Sequence, residues 1–123
     1  MTPHRLLAAA AALLLSPLGF ADEQVNAELN KMLEDNAASA AYARVCGEEP
    51  VSDQLKSNTM MLLTVTGLPA YNVQLGSAKF NDVMRRELAG VRSLKDVDCP
   101  GKVREARQRL TTTQGIIQGS RQR

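Results

Sequence analysis

Cys46 and Cys99 are the chain's two cysteines, and they stand 53 residues apart. A bridge between them forces the end of one local element onto the start of another, far along the chain. Few arrangements of a chain of 123 residues satisfy that. Whether such a bridge is expected depends on the compartment, because disulfides persist in exported proteins and are rare in a reducing cytosol. The question of fold therefore starts at the N-terminus.

Residues 1–21 read as an export signal. His4 and Arg5 give a short basic start, and Leu6 to Leu15 are all Leu or Ala. The run is too short to cross a bilayer, which needs about 20 residues. Pro17 and Gly19 break a helix there, and Gly19 and Ala21 are small residues before a cut. The expected mature chain begins at Asp22, periplasmic or secreted, and loses its one histidine, His4, with the leader. Two cysteines in such a chain read as a disulfide. By chain entropy a loop of that size contributes about 4 kcal/mol.

Apolar spacing in the mature chain is helical. Val25, Leu29, Met32 and Leu33 share one face, followed by an Ala-rich run to Ala43. Gly47 and Pro50 end this first segment. A second helix is expected from the N-cap Ser52 to Thr66, with Leu55, Thr59, Leu62 and Thr66 as its inner stripe. Met61 to Val65 also fits a strand, but no second strand exists to pair with it. Gly67 and Pro69 separate a third helix, expected to run to Arg92 through Val73, Phe80, Met84, Leu88 and Val91. Gly76 interrupts that stripe and is a place where the segment could divide. A fourth helix is expected near Cys99, capped by Asp98 and started by Pro100. Its seam is Val103, Ala106, Leu110, Thr113 and Ile117.

Short connections favour antiparallel neighbours. The expected fold is all-α, a small four-helix up-down-up-down bundle stapled by one disulfide. Cys46 ends the first helix and Cys99 begins the fourth, so alternation puts both at one end. The helical domain spans residues 22–118, and residues 119–123 are expected to be a disordered tail.

The residue types present exclude much chemistry. Without histidine there is no Ser-His-Asp or Cys-His machinery. No Ser-x-x-Lys or Cys-x-x-Cys motif occurs; Ser77 and Ser93 precede a Lys by two positions, on another helix face. Asp96, Asp98 and Gly101 resemble the opening of a calcium loop, but Pro100 and Arg107 stand where ligands are needed. The pairs Glu34-Asp35 and Glu48-Glu49 read as solvated faces, and Met60-Met61 reads as core filling. No catalytic residue, metal or cofactor is expected.

Charge is divided along the sequence. Residues 22–53 carry eight acids and two bases; residues 54–123 carry twelve bases and five acids. Mutual attraction between the first and fourth helices accounts for this. The sharper alternative is a basic face of Arg85, Arg86, Lys102, Arg104, Arg107 and Arg109 that binds an anionic ligand or membrane surface. Nucleic acid is not expected after export, with only Tyr42, Tyr71 and Phe80 available for stacking. The layout of leader, two cysteines and about four helices resembles that of periplasmic acid-stress chaperones and periplasmic immunity proteins, with no motif residue carried over. The expectation is a small exported non-enzymatic protein that binds a protein partner, as a chaperone, an immunity protein or an accessory subunit does.

Overall fold

The computed structural model describes residues 17–66 and 73–121. The expected leader sequence up to residue 16, the stop at Gly67 and Pro69, and residues 122–123 lie outside them. Four α-helices follow in order: α1 Pro17–Val45, α2 Glu49–Thr66, α3 Val73–Gly90 and α4 Cys99–Arg121. A 3-10 turn, Leu94–Asp96, joins the last two. No strand occurs among the described residues, so Met61 to Val65 is helical. The protein is an all-α bundle with a Cys46–Cys99 disulfide.

Local signals set most of the boundaries. Gly47 has φ 84°, the left-handed conformation that ends α1. Its N–H meets the Arg44 carbonyl at 3.1 Å, and the Glu48 N–H meets the Ala43 carbonyl at 2.8 Å. Those two bonds form a Schellman cap. Asp98 caps α4, its carboxylate accepting from the Gly101 N–H at 3.2 Å. Four boundaries differ from expectation. α1 starts at Pro17, ahead of Asp22. α2 starts at Glu49, so Ser52 is buried inside the helix and Pro50 occupies the first turn, where a missing N–H costs nothing. α4 continues through Gly119 to Arg121, so residues 119–121 are helix and not tail. α3 runs unbroken through Gly76, which is buried, and stops at Gly90 before Arg92.

Helix directions alternate, and the cysteines meet at one end with Cα atoms 5.5 Å apart. α1 is the hub and packs on all three other helices. Its middle explains why. Ala37, Ala40, Ala41 and Ala43 are at most 1% exposed, and such thin faces let neighbours approach on several sides. α2 lies against α1 and α4 and touches α3 more lightly, whereas α3 and α4 share no packed face among the described residues. The core consists of Leu29 and Leu33 with α1's alanines, Val51, Leu55, Leu62 and Leu63, Phe80, Val83 and Met84, then Ala106 and Ile117. Of the expected seam of α4, Val103 and Leu110 are only half-buried.

A polar knot crosses this core. Asn36, Thr59 and Thr113 are each 1% exposed. The Asn36 amide donates to Thr59 Oγ1 at 3.0 Å and to Thr113 Oγ1 at 2.9 Å. Each threonine hydroxyl in turn donates to the carbonyl four residues back, Leu55 at 2.6 Å and Arg109 at 2.8 Å. Both amide hydrogens and both hydroxyls are therefore used, and the bonds tie α1, α2 and α4 in one register.

Candidate functional site

Because α3 and α4 share no packed face, one face of α1 stays open between them. Lys31 is exposed on it, and Asp35, Ala38 and Tyr42 are half-buried. The spacing of these four positions puts them in one line along the helix. The result is a furrow with α1 as floor. On the α3 side Val83, Arg86 and Glu87 face Glu34, Asp35 and Ala38. On the α4 side Glu105, Gln108, Arg109 and Thr112 line a groove with Met32 and Asn36. At the disulfide end the segment from Gly90 to Asp98 closes over Tyr42 and Lys102, around a hollow of ≈ 400 Å³.

Several charges in and around the furrow are paired. Asp35 Oδ2 pairs with Lys31 at 3.3 Å and with Arg109 at 3.5 Å. Lys79 reaches Glu34 at 3.0 Å and donates to Asn30 at 3.0 Å. Lys102 sits over the Tyr42 ring, 4.4 Å from its centroid. Arg109 Nε is buried and meets no acceptor.

The six basic residues singled out from sequence do not form one face. Arg86, Lys102 and Arg109 border the furrow. Arg104 and Arg107 lie on a shallow trough on the outside of α4, with Pro100, Val103 and Thr111. That trough, ≈ 670 Å³, is lined by residues of a single helix and is open to solvent. Arg85 and Arg86 pair with Asp82 on their own helix, at 4.0 and 3.3 Å. Arg107 reaches Glu48 at 3.5 Å. Arg104 is exposed and reaches no acidic side chain among the described residues. The attraction between the acidic first half and the basic second half thus takes the specific form Arg109–Asp35, Arg107–Glu48 and Lys79–Glu34.

Among the described residues no group of His, Cys, Asp or Glu is placed to hold a metal ion. No helix among them is long and apolar enough to cross a membrane. The furrow itself was not foreseen. Its only sequence signal is the line Lys31, Asp35, Ala38 and Tyr42, polar or small positions beside the inner face of α1. Compared with known proteins, the chain matches no family model, no curated protein and no solved structure.

Proposed function

We propose that the protein is a small exported, non-enzymatic binding protein whose partner is another protein, seated in the furrow over α1. The carrying observation is the fate of the basic residues. Arg85, Arg86, Lys102, Arg107 and Arg109 all have partners within the fold. An anionic membrane surface selects basic groups gathered on one side, whereas these are divided between α3, the furrow and the outside of α4. The furrow offers what a protein segment needs: a small-residue floor at Ala38, an aromatic at Tyr42 and charges of both signs along its walls. The Leu- and Ala-only leader and the disulfide support export.

The test has two arms. Tagged protein recovered from the periplasm should bring one partner in stoichiometric amount, retained in high salt. Co-sedimentation with anionic vesicles should stay at background. Vesicle binding that salt weakens, and that an Arg104→Gln, Arg107→Gln variant loses, would move the function to the anionic-surface alternative.

A further inference from the structure

The helices are not held to the bundle by the same means. α2 docks through Leu55, Leu62 and Leu63, and α3 through Phe80, Val83 and Met84, all buried. α4 buries Ala106, Thr113 and Ile117, a single large apolar side chain among them. Apolar burial is the main favourable term in docking and scales with area, so α4 has the weakest apolar anchor. Half-buried Leu110 adds a partial apolar contact, and the remaining attachments are polar or covalent. They are the Asn36–Thr113 hydrogen bond, the Arg107–Glu48 and Arg109–Asp35 pairs, Lys102 over Tyr42, and the bridge from Cys99 to Cys46. Exposed ion pairs contribute little. The helix is also intrinsically weak, with Gly101, Gly115, Gly119 and three consecutive threonines, Thr111 to Thr113.

We infer that the Cys46–Cys99 bridge is a redox latch for α4. With the disulfide formed, α4 is docked on α1 and α2. With it reduced, α4 leaves while α1, α2 and α3 stay folded together. The reductant is a dithiol. Its thiolate attacks one sulfur, the other sulfur leaves and takes a proton, and the resulting mixed disulfide is resolved by the second thiol. Two electrons and two protons end on Cys46 and Cys99, and the dithiol leaves as its own disulfide. Both cysteines are half-buried at the end of the bundle, beside exposed Gly47 and Asp98. Undocking frees Asp35 and Glu48 from their arginines and removes the α4 wall of the furrow. The inference does not depend on what the furrow binds.

Hydrogen exchange read by mass spectrometry tests it. Three samples are compared: the oxidised protein, the same protein with a phosphine reductant, and the Cys46→Ser, Cys99→Ser variant. In the last two, amides of residues 106–117 should exchange about a hundredfold faster than in the oxidised protein, the scale set by opening the short loop 91–98 that the bridge closes while α3 stays docked. Amides of residues 55–63 and 80–84 should change by less than about tenfold. Unchanged protection in α4 would overturn the latch. Equal loss across all four helices would also overturn it, because the bundle would then open as one unit.

Discussion

Asn36 sits between Asp35 and Ala37 in sequence, yet its amide joins three helices through Thr59 and Thr113. Nothing in its local pattern announces this. Thr59 and Thr113 gave a partial signal, since each stood on an apolar stripe where a hydroxyl needs a partner. Replacing Asn36 with Ala removes the donor to both threonines and leaves a small void. It should cost about 1–3 kcal/mol in urea unfolding. The glycines of α4 give a sharper contrast. A Cβ at Gly101 would run into the Asp98 carboxylate, whereas one at Gly115 meets nothing within 4 Å. Gly101→Ala should therefore lower stability by about 1 kcal/mol through the displaced cap. Gly115→Ala should raise it by about 0.5–1 kcal/mol through helix propensity. If both substitutions stabilise the protein, the capping role of Asp98 is wrong.

At the level of elements, the periodic stripes located all four helices, and the Gly47 and Asp98 signals placed an end of α1 and a start of α4. Ser52 misled because a good capping residue carries no mark that says whether it is used. Glu48 lies just outside α2, and its carbonyl accepts the Val51 and Ser52 N–H groups at 3.1 and 3.2 Å. Stripes also report which face is covered but not by which neighbour. That is why α1's contact with α3, and the gap between α3 and α4, could not be read from spacing. Burial depth shows the same limit. Leu55 and Leu110 look alike in their stripes, yet Leu55 is 0% exposed and Leu110 is half-buried. Leu55→Ala should cost about 2–5 kcal/mol, and Leu110→Ala should fall clearly below it. Equal costs in denaturant titration would mean that α4 packs more tightly than its exposure indicates.

Across the whole molecule, the division of charge along the sequence becomes a set of contacts between α1 or its end and the helices beside it. Arg107 and Arg109 are at least a third exposed, so each pair is worth little singly. The Arg107→Gln, Arg109→Gln variant should lose less than about 1 kcal/mol, and the loss should shrink as salt is added. The proposed function instead places binding in the furrow, whose floor at Ala38 is half-buried. A photo-crosslinking side chain at Ala38 addresses this directly, with the same group at Ala78 on the exposed side of α3 as control. Both proteins should melt as the parent does. Irradiation in the periplasm should trap one adduct of defined mass from position 38 and none from position 78. Equal adducts from both positions, or none from position 38 while the partner still co-purifies, would contradict docking in the furrow.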